Sequence, residues 1–185
     1  HVSYQPRYAH FSPFTSPVNE IIDSGLSLYF PAPHSFTGED VVELHLHGSI
    51  AVISQTLETL NEFNYLRPAD PGEFSKKAFM NNKMDLTQAE GLVDLIEAET
   101  QLQRKVALRQ MGGELSNLYE SWRHDLIKVL AQIEAFIDFP EDDIPQSAII
   151  KANDEIDLLK NKITSHLNNN NSGEIIRRGV HIAIL

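Results

Sequence analysis

Hydrophobic and polar positions along this chain alternate with a period of two in the first third, then recur at every third and fourth residue. Residues 1–19 are rich in Pro, Ser and aromatics. Pro6, Pro13 and Pro17 exclude a helix there and allow only short edge strands. In GLSLYFPAP, Leu26, Leu28 and Phe30 alternate with Ser27 and Tyr29, which predicts a half-buried strand stopped by Pro31 and Pro33. A second strand follows in HSFTGEDVVELHLHGS. Val42, Leu44 and Leu46 share one face; Val41, Glu43, His45 and His47 share the other. Ser49 is placed to cap a helix whose inward stripe is Ile50, Ile53, Leu57 and Leu60, with Gln55, Glu58 and Glu62 outside. Strands and a helix in so short a span predict an α/β or α+β unit.

Pro68 and Pro71 break the chain, and residues 72–80 predict a short helix ended by the turn-forming Asn81 and Asn82. TQAE at 87–90 has the form of a capping box and opens a long helical region, with Leu92, Val93 and Ile96 inward and a break at Gly112 and Gly113. Leu115, Leu118, Trp122, Leu126, Val129, Ile133 and Phe136 form a sustained helical seam. An acidic loop at 138–145 precedes a third helix with Ile149, Ile156, Leu159, Ile163 and Leu167 inward. A flexible link at 168–173 leads to a β-branched run at 179–185, expected to be the first strand of a further domain. The stretch 66–97 joins the strand-rich half to the helical half.

Composition changes this picture little. With 185 residues, 42% hydrophobic and 22% charged, the chain is ordinary for a globular protein. No apolar run approaches the ~18 residues of a membrane span. The absence of cysteine excludes disulfides, thiolate chemistry and Cys-based zinc sites. A net charge of -11 repels a polyanion on average. Any nucleic-acid contact is therefore expected from a local basic patch or from another domain or partner, and the acidity alone also serves solubility. Opening on His1 and stopping inside an apolar run at Leu185, the sequence is expected to be a piece of a longer protein.

Chemistry concentrates at a few positions. Glu43, on the polar face of its strand, either holds a planar N–H/NH2 edge such as that of a pterin or guanine ring, or pairs with a neighbouring cation. His45 and His47 either pack beside Gly48 or bind a metal with Glu39, Asp40 or Glu43, although no third ligand is fixed by spacing. Arg67, Lys76, Lys77 and Lys83 form the main basic cluster of the first half, suited to an anionic ligand or to a solvated face. Lys83 stands out because it lies in a short constrained link. Asp138, Glu141, Asp142 and Asp143 either chelate Mg2+ or Ca2+, although they fit no EF-hand spacing, or form a solvated loop that separates two helices.

Three segments, SFTGEDVVELHLHGS at 35–49, PGEFSKKAFMNNKMDLTQAEGLVDLIEAET at 71–100 and IEAFIDFPEDD at 133–143, resemble the MnmE/TrmE family of tRNA modification GTPases. They stand in the family's order and cover nearly the whole chain. The wording around EAETQLQRKVALRQMGGEL resembles the mitochondrial members, which implies a mitochondrial location; otherwise a bacterial cytoplasm is implied. The resemblance implies an α+β fold class: an N-terminal α/β domain like the tetrahydrofolate-binding fold of aminomethyltransferases at 1–82, its first strand missing. An all-α helical domain would follow at 83–173, and residues 174–185 would be the link and first strand of a P-loop GTPase domain. Glu43 and Lys83 match the family's folate-binding carboxylate and lysine, with 5-formyl-tetrahydrofolate as the ligand. No catalytic residue and no metal ligand is expected in this piece. GTP, Mg2+ and K+ would belong to the absent G domain.

The implied function is modification of C5 of the wobble uridine of tRNA, of aminomethyl or taurinomethyl type. A folate one-carbon unit, an MnmG-type FAD-dependent partner and a homodimer are implied with it. The family's GxGGxGIxRxSG-type opening, with a further folate-contacting arginine, and its C-terminal helices with their cysteine motif lie outside this sequence. Where many members have GHGG this chain has LHGS at 46–49. Two alternatives remain from the residues themselves: a folate-dependent aminomethyltransferase and a non-catalytic helical dimerisation scaffold.

Overall fold

The computed structural model describes residues 4–138, 146–169 and 176. The chain divides into two compact units, His1–Asp85 and Leu86–Leu185. The first is an α/β unit and the second is helical, so the class expected from the hydrophobic pattern is the one found.

In the first unit, β1 (His10–Thr15), β2 (Ile21–Phe30) and β3 (Val41–His45) form an antiparallel sheet in the order β1-β2-β3. Pro13, which cannot donate to a ladder, lies in an outer strand opposite Ser24. The alternation in β2 predicts the strand correctly but not the side it hides. Ser27 is buried at 1% exposure while Leu26 is 37% exposed. Register explains the inversion. Leu26 stands opposite His45 and Leu28 opposite Glu43, so the apolar residues of the central strand share a side of the sheet with the polar residues of β3.

Ser49 caps α1 (Ile50–Asn61) as expected, its hydroxyl accepting the Val52 N–H at 3.2 Å. Of the expected inward stripe, Leu60 is half-buried and lines a cavity with Thr56 and Thr59, and the rest faces outward. Ile50, Ile53 and Leu57 are exposed, and the helix buries Thr56 and Thr59 instead. Thr56 can be hidden because its hydroxyl donates back to the Val52 carbonyl at 2.8 Å. Helix α2 (Glu73–Met80) runs as predicted between Gly72, at φ 77°, and the turn at Asn81 and Asn82, the latter at φ 55°.

In the second unit the long helical region is split into α3 (Leu86–Ile96) and α4 (Gln101–Met111) before the break at Gly112 and Gly113. The capping box is not at Thr87. That residue lies inside α3, its hydroxyl 2.8 Å from that of Ser116. The true box belongs to α4, where the Thr100 hydroxyl accepts the Gln103 N–H and the Gln103 side chain reaches back. Val93 and Ile96 are exposed; the buried contact of α3 is Gly91, whose missing side chain lets the α4 backbone approach. A β-carbon there would lie 2.7 Å from the Met111 nitrogen.

Helices α5 (Glu114–Asp138) and α6 (Gln146–Asn169) pack together. Val129, Ala152 and Leu159 are buried, Trp122 meets His166 edge-on at 5.3 Å, and Lys162 pairs with Asp125 at 2.7 Å. The predicted seam is thus half right: Leu126, Ile133, Ile149, Ile156 and Leu167 remain exposed. Glu141, Asp142 and Asp143 of the acidic loop, residues 170–173 of the link and the run at 179–185 lie outside the described residues.

Candidate functional site

Glu43 sits at the middle of β3, about half exposed, with its Oε2 3.3 Å from the His45 Nε2. That contact occupies one oxygen and leaves acceptor capacity for an outside donor. Because Leu28 stands opposite Glu43 and Leu26 opposite His45, the carboxylate rises from an apolar cross-strand surface. A flat heterocycle with donors along one edge suits such a surface: its face covers the leucines and its edge reaches the carboxylate.

Gly25 keeps this surface in place. A β-carbon at that position would lie 2.0 Å from the His45 carbonyl oxygen, so only glycine lets β3 close on β2 there.

Lys83 is fixed by its backbone N–H, which donates to the Ala78 carbonyl at 2.8 Å just past α2. Its aliphatic stem runs beside Gly38, whose φ of 80° turns the loop before β3; a β-carbon on Gly38 would lie 3.2 Å from the Lys83 Cε. Asn81 ties the same loop down, donating from Nδ2 to the Thr37 carbonyl at 2.8 Å. The fold therefore brings Lys83 to the loop that leads into the Glu43 strand. No ion pair among the described residues joins Lys83 to Glu43 or to any other carboxylate.

The remaining cations of the basic cluster are mostly committed elsewhere. Arg67 holds Glu73 through two nitrogens at 2.6 and 2.9 Å, and Lys77 holds Glu39 at 2.6 Å. The Arg67 guanidinium, with the Asp70 backbone N–H, holds the Glu73 carboxyl down at about 2. Lys77 likewise lowers Glu39. These pairs line a groove of about 420 Å3 beside Val41 and Val42, which neither Glu43 nor Lys83 lines.

His45 and His47 part company. His45 stays beside Glu43, whereas His47 turns to Asp23 of β2. The Asp23 carboxylate accepts the His47 backbone N–H at 2.8 Å and lies 2.8 Å from its ring Nδ1. Those bonds, the backbone one foremost, hold the Asp23 carboxyl below the usual carboxylate range. Among the described residues no group of three His, Asp or Glu side chains is placed to hold a metal ion. Sequence reasoning missed Asp23 because nothing in local spacing connects it to His47.

The family model described as the GTP-binding protein TrmE N-terminus matches residues 1–83, and that of the MnmE helical domain matches residues 86–181. Among curated relatives, a tRNA modification GTPase MnmE from Ehrlichia ruminantium is 52% identical over 181 residues, 98% of this chain and 40% of the relative. The protein of the same description from Rickettsia bellii is 47% identical over 184 residues, 99% of this chain and 41% of the relative. That from Parvibaculum lavamentivorans is 50% identical over 181 residues, 97% of this chain and 41% of the relative. The chain spans about two fifths of the length of these relatives.

Proposed function

The chain belongs to the MnmE/TrmE family of tRNA modification GTPases, and from that premise we propose that its first unit holds a reduced folate for modification of the wobble uridine of tRNA. The observation that carries this is the cross-strand pairing of Glu43 with Leu28, next to that of His45 with Leu26. It sets a carboxylate at the rim of an apolar surface, which is what a pterin ring with an N–H/NH2 edge requires. The donor set fits 5-formyl-tetrahydrofolate: Glu43 would receive the pterin edge, and Lys83 would face the anionic glutamate tail. When bound, the folate supplies the one-carbon unit. The residues of this chain orient it.

The rest of the activity is proposed for the whole protein. GTP hydrolysis, with its Mg2+ and K+, is assigned to the part of the relatives' length that this chain does not span. An MnmG-type FAD-dependent protein would act with it on C5 of the uridine, and most contact with tRNA would come through that complex, consistent with the net charge of -11. Homodimerisation through the first unit would cover exposed side chains such as Phe11, at 74% exposure. The taurinomethyl form of the group goes with a mitochondrial setting and the aminomethyl form with a bacterial one.

Calorimetric titration of 5-formyl-tetrahydrofolate into the full-length protein tests this reading. Saturable binding that weakens on Glu43→Ala is expected. Equal affinity in the two proteins removes Glu43 from the site, and absence of binding in the unaltered protein removes the folate.

A further inference from the structure

An ammonium on a long methylene stem is not placed by its backbone alone, and Lys83 has such a stem. We propose, resting on the folate reading above, that Asn81 is the positioning residue for Lys83. It holds the 37–39 loop against the end of α2, and the loop in turn confines the lysine stem. Asn81 touches no ligand; it acts through Gly38 and Lys83.

The end of α2 fixes where the lysine begins. The Asn82 N–H donates to the Phe79 carbonyl at 3.0 Å, and the Lys83 N–H to the Ala78 carbonyl at 2.8 Å. With Asn82 between them at φ 55°, these are the two bonds of a Schellman motif, and asparagine takes the place that glycine usually fills. Ala78 is fully buried, so the motif is seated on the interior of its unit. The Lys83 backbone therefore leaves the helix in one direction.

The 37–39 loop fixes where the stem goes next. Gly38 presents bare backbone to two residues at once. A β-carbon on it would stand 2.9 Å from the Asn81 Cβ and 3.2 Å from the Lys83 Cε, so the stem lies against Gly38 with Asn81 beside it. Asn81 keeps the loop there, through the bond from its Nδ2 to the Thr37 carbonyl at 2.8 Å. Thr37 is 2% exposed, so its carbonyl depends on a donor from the protein. Lys77, one turn earlier on α2, pairs with Glu39 at 2.6 Å and secures the residue after Gly38. Lys77 lowers the Glu39 carboxyl, and a hydrogen bond from the Asn81 side chain adds to that. Asn81 also belongs to α2 itself, its own N–H donating to the Lys77 carbonyl at 3.0 Å. A loose lysine gives up rotamer freedom when it meets an anion, and a stem confined beforehand has already given up part of it. Losing the Asn81 amide therefore frees loop and stem together while the charge of Lys83 stays.

The test titrates 5-formyl-tetrahydrofolate calorimetrically into the full-length protein, at low and at high salt. The unaltered protein is compared with Asn81→Ala, Lys83→Ala and the double variant. At low salt Asn81→Ala should weaken binding by about two- to fivefold, within the loss caused by Lys83→Ala. High salt should erase that loss, because it screens the ammonium through which Asn81 acts. The double variant should bind as Lys83→Ala does, whereas Glu43→Ala should add its full loss to that of Asn81→Ala. An asparagine that only supports the fold would instead give a loss that survives high salt and adds to that of Lys83→Ala. Either of those results, or no loss on Asn81→Ala, overturns the proposal. Should Asn81→Ala not fold, Gly38→Ala presses on the same stem and is held to the same pattern. An unaltered protein that does not bind the folate, or a Lys83→Ala variant that binds it equally well, overturns the folate reading itself, a result distinct from all of these.

Discussion

Gly25 of β2 and His45 of β3 approach so closely that a β-carbon on the first would stand 2.0 Å from the carbonyl oxygen of the second. The contact falls between Asp23 and Leu26, so the position of the Glu43 strand against the central strand depends on a missing side chain.

Gly25→Ala should therefore do more than remove flexibility. The methyl group must push β3 away, at a cost of about 1–3 kcal/mol, the usual range for forcing atoms into filled space. Thermal unfolding of the chain should show a lower midpoint, and folate affinity should fall with it. An unchanged midpoint would mean that β3 is free to shift.

Glu43 and Lys83 should differ in kind. Hydrogen bonds to a charged group contribute about 1.5–3 kcal/mol, so Glu43→Ala should weaken folate binding by about ten- to a hundredfold. An exposed ammonium facing a solvated carboxylate contributes under about 1 kcal/mol, so Lys83→Ala should weaken it by no more than about fivefold. The Lys83 contribution should vanish in high salt and the Glu43 contribution should not. Titration at two ionic strengths separates them.

Acid should loosen the segment before α2. The folded state lowers the Glu73 carboxyl from 4.5 to about 2, chiefly through Arg67. A depressed carboxylate stabilises the fold fully above its unfolded value, and this contribution is lost as pH falls from about 4.5 toward about 2. Glu73→Gln should remove that part of the pH dependence of the unfolding midpoint. A variant as acid-sensitive as the unaltered chain would show that the Arg67 pair is not the source.

Between α5 and α6 the buried contact lies at Val129 and Ala152, not at Leu126. Ala152→Leu should cost about 1–3 kcal/mol by overfilling that contact. Leu126→Ser, on a side chain 56% exposed, should stay within about 0.5 kcal/mol. Urea midpoints of the two variants give the comparison, and a reversed order would relocate the seam.

Local chemistry was readable from the chain: the Ser49 cap, the turn at Asn81 and Asn82, and the strands carrying Leu28 and Glu43. Periodicity also located the helices, because a stripe at three and four residues marks an amphipathic helix wherever it lies. It could not say what covers the stripe. Ile50, Ile53 and Leu57 have the spacing of a buried face, yet α1 meets β2 along Thr56 and Thr59. The box at Thr87 failed for another reason: Thr100 and Gln103 carry the same chemistry, and the chain bends just ahead of them. Glu43 and Lys83 were singled out on residue type and resemblance. The link from His47 to Asp23 was invisible, since it comes from strand register across 24 residues and from no spacing rule.

The segment from His47 to Ser49 is anchored at both ends, by Asp23 on one side and by the Ser49 hydroxyl on the Val52 N–H on the other. So short a tether has no slack. Any pull on the imidazole is felt as tension at the first turn of α1, where the Val52 amide proton is sealed by a single side-chain bond. Its exchange with deuterium should therefore quicken when Asp23 is replaced by Asn, which would make one amide a strain gauge for a ring it never touches.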